Sequence, residues 1–199
     1  MPNVNDWQFF FRWLHVIAGI TWIGHLYFFN FVNVPFQASL DDAGKKAANP
    51  KLLPRALWWF RWGAMITFLS GLVMYAVVYM YDPATGGFEA MGPRHPSPWI
   101  LMGMLFGVIM WFNVWFIIWP INRRILSGQM PAEQMAGARR KAYLASRTNT
   151  YLSGPMLFGM LGANHINTQS PKALMASLIV GFAAIWAAIR HSNKVGQTV

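Results

Sequence analysis

The sequence predicts an all-α integral membrane bundle of five transmembrane helices, with the N-terminus outside and the C-terminus cytoplasmic. Three observations carry that prediction. Of the 199 residues, 55% are hydrophobic and only 11% are charged, whereas a soluble domain carries about 25% charged residues. Apolar stretches long enough to cross about 30 Å of hydrocarbon as helices recur along the chain. The 16 Lys and Arg residues, against 6 Asp and Glu, cluster between those stretches. The formal charge of +10 is therefore an orientation signal, and nucleic acid is not expected as a partner.

The first span runs from about Trp7 to Asn33. Its lead has no Lys or Arg, and no small-residue cleavage site follows, so the segment is expected to stay in the mature protein. The second and third spans, Leu57 to Tyr81 and Pro98 to Trp119, are each bounded by Pro and carry Trp or Tyr near their ends, as interfacial belts do. The fourth is a long helix that starts wet. Residues 131–147 hold Glu133, Arg139, Arg140, Lys141 and Arg147 and form a cytoplasmic helix, while 148–164 enter lipid and carry Pro155 as a kink. The last span is Lys172 to Ile189. The whole chain is one transmembrane domain.

Counting basic residues between spans orients the bundle. The interval 34–56 has Lys45, Lys46, Lys51 and Arg55, and 120–147 has Arg123, Arg124, Arg139, Arg140, Lys141 and Arg147. The lead has none, 82–97 has Arg94 alone, and the tail has Arg190 and Lys194. Five spans put every basic cluster on one side, and omitting the fourth would carry the basic tail outside.

Cysteine is absent, which excludes disulfides, thiolate metal sites and the C-x-x-C-H attachment of c-type haem. Any cofactor must be held by other groups, and ionisable residues within spans are the candidates. His15 and His25 lie about 15 Å apart along the first helix and about 80° around it, so they cannot ligate one iron together. Depth matches His15 with His165, at the outer end of the fourth span, and His25 with His191 after the fifth. The first is the better axial pair, because His191 sits in a solvated tail; His95 reads as an exposed loop residue.

Bis-His ligation of b-type haem needs two neutral imidazoles from different helices, small residues beside them and cations for the propionates. Gly19 and Gly24 flank the first-span histidines, and Arg12 and Arg61 are placed for propionates at the outer and inner sides. One or two haem b groups are expected, with His15 and His165 the haem-iron ligands. The alternatives stay open: the arginines snorkel to lipid phosphates, the glycines serve helix packing, and the histidines are satisfied core residues. Asn113, Arg147 and Asn149 are candidate groups for a polar substrate, or else bond across helices. The Gly103 and Gly107 pair reads as packing. No soluble-enzyme motif is present.

Four blocks carry a resemblance: Arg12-Trp13-Leu14-His15-Val16-Ile17-Ala18-Gly19-Ile20-Thr21-Trp22-Ile23-Gly24, Pro54 to Trp62, Met110 to Pro120, and Ser146 to Thr150 with Pro155-Met156. Together they resemble the membrane domain of the PuuD-type urate hydroxylases, the urate oxidase N-terminal domain family. The resemblance implies a multi-pass protein of the bacterial cytoplasmic (inner) membrane, in which electrons from urate or a similar small substrate pass to a cytochrome c domain. With no cysteine here, the acceptor would be a separate cytochrome c or respiratory-chain partner, and catalysis by this chain is an open expectation. The first-span pattern is also similar to small haem-binding membrane proteins of the HemJ protoporphyrinogen oxidase type. Two other readings remain: a non-catalytic accessory subunit of a respiratory or transport membrane complex, and a homo-oligomer.

Overall fold

Helices account for nearly all of the computed structural model, which describes residues 4–90, 92–166 and 170–196. The first, α1 (Val4–Tyr27), passes through a π-helical turn (Phe28–Asn33) into a short α2 (Val34–Ser39). It thus runs six residues past the end expected from sequence. Next comes α3 (Asp42–Tyr75), capped by the Asp41 carboxylate, which accepts the Gly44 N–H at 2.7 Å, and extended by a π turn (Ala76–Met80). Pro50 and Pro54 lie inside this helix and do not end it, so the second span has a charged helical extension that the prolines had been expected to cut off. A two-residue hairpin pairs β1 (Tyr81–Asp82) with β2 (Gly87–Phe88). Its turn needs Gly86, at φ 68°, a conformation that a side chain disfavours.

The third span is α4 (Pro98–Phe112), a π turn (Asn113–Ile118) and α5 (Trp119–Leu126). A 34-residue helix, α6 (Ala132–His165), and then α7 (Pro171–Ser192) complete the chain. Four helical segments, Asn5–Ser39, Asp42–Met80, Pro98–Leu126 and Pro171–Ser192, are long and apolar enough to cross a membrane. The fifth long helix, α6, is not among them. Its interior half is buried through Asn149, Thr150, Ser153, Pro155, Met156, Gly159 and Gly162. A helix packed on several sides needs small and polar residues for neighbours rather than apolar ones for lipid, which is why its hydropathy is low.

Neighbouring helices run antiparallel. Gly63 of α3 sits against Ala18 and Trp22, and Gly71 against His15. Gly103 of α4 abuts Met156 and Met160, which assigns it to close packing as expected, and Gly154 of α6 meets Gly181 of α7 backbone to backbone. The core between α1, α3, α4 and α6 is built from Trp22, Leu26, Phe60, Met110, Val114 and Met156. Outward faces stay apolar: Phe9, Ile20, Leu105, Leu161 and Ile179 are all more than half exposed. Exposed apolar residues on every long helix suit a lipid surround and would be costly in water.

Candidate functional site

Polar side chains inside the bundle gather at two depths. The first lies where α1 crosses α3. His15 Nδ1 is 3.2 Å from Ser70 Oγ, and Ser70 Oγ is 2.6 Å from the Ile66 carbonyl and 3.1 Å from that of Thr67. A hydroxyl has one proton, and here a backbone carbonyl takes it. With the Ser70 proton engaged there, Ser70 accepts from His15 Nδ1–H, and the Thr67 backbone is a second hydrogen-bond partner of the ring. Gly71 makes the approach possible, because a Cβ there would stand 3.2 Å from the imidazole Cε1. Arg12 and Arg94 are within electrostatic reach of Tyr79 at the same end of the bundle. Ser70 escaped the sequence reading; the signal was Thr67 and Ser70 spaced three apart on one face of an apolar helix.

His165 ends α6 and is exposed. Its depth follows from two contacts between α1 and α6: Tyr27 Oη to Ser153 Oγ at 2.9 Å, and Asn30 Nδ2 to Ser146 Oγ at 2.9 Å. His15 precedes Tyr27 by twelve residues and His165 follows Ser153 by twelve, so both lie about 18 Å along their helices from that contact. The two histidines share a level, but no hydrogen bond or ring contact joins them. His25 donates from Nδ1 to the Thr21 carbonyl at 2.7 Å, a contact within its own helix. His191 is exposed at the end of α7.

The second depth is a layer across the other half of the bundle. Asn149, fully buried, accepts from Asn113 Nδ2 at 2.8 Å and donates to the Met110 carbonyl at 2.9 Å. Beside it, Asn30 donates to both Ser146 and the Leu26 carbonyl, and Ser153 donates to the Thr150 carbonyl. Asn30 and Asn113 each sit in a π turn, where the local ladder is disturbed. Asn113 and Asn149 are thus brought together as each other's partners. Arg147 instead reaches along its own helix, donating from Nη2 to Tyr143 Oη at 3.0 Å.

Arg61 lies at this level in an aromatic cage. Its guanidinium carbon is 3.9 Å from the Trp119 ring centroid, 5.2 Å from that of Trp115 and 5.3 Å from that of Trp62. Trp115 Nε1 donates to the Arg61 carbonyl at 3.2 Å, tying the cage to the helix it encloses. Cation–π contacts of this kind are each worth roughly 0.5–2 kcal/mol. Arg61 lies about 14 Å along α3 from Ser70, too far to serve a group centred on His15. Among the described residues, no three His, Cys, Asp or Glu side chains cluster as a metal site.

The blocks that hold Asn113 and Asn149 also carry the kinship. The family model described as urate oxidase N-terminal matches residues 94–197, taking in α4 to α7 and both asparagines of the buried pair. No curated protein and no solved structure matches the chain. The match spans more than half of the sequence and takes in every member of the polar layer but Asn30, and by it the chain belongs to the urate oxidase N-terminal family.

Proposed function

We propose that this protein is a b-type cytochrome-like electron-transfer protein, linked to the oxidation of urate or a similar small substrate, with His15 and His165 as the axial pair. The observation that supports it best is the His15–Ser70 contact. It orients the imidazole through Nδ1, which would leave Nε2 for iron, and second-partner bonds of this sort are what orient metal-ligating histidines. The donor set fits haem b: two histidines at one depth on different helices, with Arg12 at the same end for a propionate. A haem there would store and release one electron at a time; the chain's part is to fix the imidazole. His25 is the candidate for a second group.

On this reading α6 is a fifth span, the N-terminus is outside, and the protein lies in the bacterial cytoplasmic membrane with a separate cytochrome c or respiratory-chain acceptor. A dithionite-reduced minus oxidised spectrum of the purified protein, with a pyridine haemochrome assay, should show one or two b haems per chain, and His15→Ala should lose at least one. A well-folded but colourless protein would overturn the proposal. It would leave the accessory-subunit reading, which the Asn113–Asn149 pair favours because these groups are occupied in holding helices together.

A further inference from the structure

We propose that Arg61 and Arg123 form a site for the phosphate of an anionic phospholipid at the basic end of the bundle. Trp119, whose ring lies closest to Arg61, and Arg123 are one turn apart on α5 and so share a face. Arg123 lies within electrostatic reach of Arg61. Two like charges held together at the edge of a low-dielectric slab repel unless an anion lies between or beside them. No carboxylate supplies that charge: among the described residues Arg61 has no ion-pair partner, and its buried Nε has no hydrogen-bond partner. The indoles of Trp62, Trp115 and Trp119 fix the guanidinium in position without using its N–H groups; Nε is enclosed, so the Nη donors are the ones left for a ligand.

The level of the site points to a lipid as the source of the anion. Exposed Trp58, Trp59 and Trp62 ring α3 where it passes from charged to apolar sequence, the position of an interfacial girdle. All of the 16 basic residues except Arg12, Arg94 and Lys172 belong to this end, and basic pockets at such an end favour anionic headgroups. The proposal does not depend on haem at His15.

The test is native mass spectrometry of the intact protein extracted from vesicles of phosphatidylglycerol and phosphatidylcholine in equal amounts, repeated with inorganic phosphate added. The wild type should retain phosphatidylglycerol preferentially, and Arg123→Gln should weaken that retention about tenfold, the scale of one charge-assisted hydrogen bond. Arg61→Gln should do the same, while Arg139→Gln, on the wet part of α6, should not. Because Arg123 is exposed at the end of a helix, its variant tests the site even if Arg61→Gln fails to fold. Equal retention of the two lipids, or retention unchanged in Arg123→Gln, would overturn the proposal. So would loss of bound lipid to millimolar inorganic phosphate, which would make the site one for a soluble anion.

Discussion

Ser70 and Asn149 show how single polar atoms are used in this bundle. Replacing Ser70 by Ala removes one of the two hydrogen-bond partners of the part-buried His15 ring and leaves the Thr67 backbone as the other; the loss belongs at the low end of the roughly 1–3 kcal/mol that an unpaired buried group costs. Denaturation of the purified protein should show a loss of that size for Ser70→Ala and a smaller one for Ser70→Thr, which keeps the hydroxyl. At Asn149 the chemistry is two-sided, since its amide accepts from Asn113 and donates to the Met110 carbonyl. Asn149→Asp should therefore destabilise more than Asn149→Ala, because a carboxylate can only accept and would face the Met110 oxygen. Equal losses in the two variants would show that the donor side is not used. His15, Asn113 and Asn149 could be picked out in the sequence as polar residues in apolar surroundings. Their partners could not, because a serine in a transmembrane stretch is common and only the crossing of α1 with α3 gives Ser70 its role.

Packing between elements is set by glycine. A Cβ on Gly181 would lie 2.6 Å from Pro155 N and 2.8 Å from Pro155 Cδ, and neither can move without shifting α6. Gly181→Ala should cost at least about 1–3 kcal/mol, the range for overpacking, read as a lower unfolding midpoint and as faster proteolysis of α7. Gly137, on the wet half of α6, has nothing within 4 Å, and there Ala should stabilise by about 0.5–1 kcal/mol. The opposite signs separate contact from propensity. At this scale the sequence was readable in its spans and misleading at its ends. Length, aromatic belts and the change from apolar to charged residues placed α6 and α7 within three residues at each end, but left α3 fifteen residues short at its start and the first and third helical segments six and seven short at their ends. Pro50 and Pro54 looked like boundaries, yet α3 runs through them, because Asp41 caps the chain well upstream. The π turns left no signal, since nothing in Phe28–Asn33 or Asn113–Ile118 distinguishes a wide turn from an ordinary one.

For the whole molecule, the proposed orientation can be checked with single cysteines in a chain that has none of its own. A membrane-impermeant maleimide applied to intact cells should label His95→Cys and Asn164→Cys, while Gln129→Cys and Val195→Cys should react only after permeabilisation. Labelling of Gln129→Cys and Val195→Cys alone would invert the protein, and protection of Asn164→Cys alongside Gln129→Cys would remove α6 from the spans. The family match and the membrane character were both within reach of the sequence, because the blocks that carry the resemblance and the apolar runs are local. The central place of α6 was not, since its polar, small-residue face makes sense only once four neighbours surround it. That helix has one more consequence. Its 34 residues make a rod of about 51 Å, and the hydrocarbon layer takes up only about 30 Å. If α6 is the fifth span, as proposed, about two-fifths of it would stand clear of the bilayer as an unbroken lever. A push or pull on Glu133 to Lys141 would then travel along continuous helix to Asn149, six residues short of Pro155, the first position of α6 whose backbone lacks an N–H.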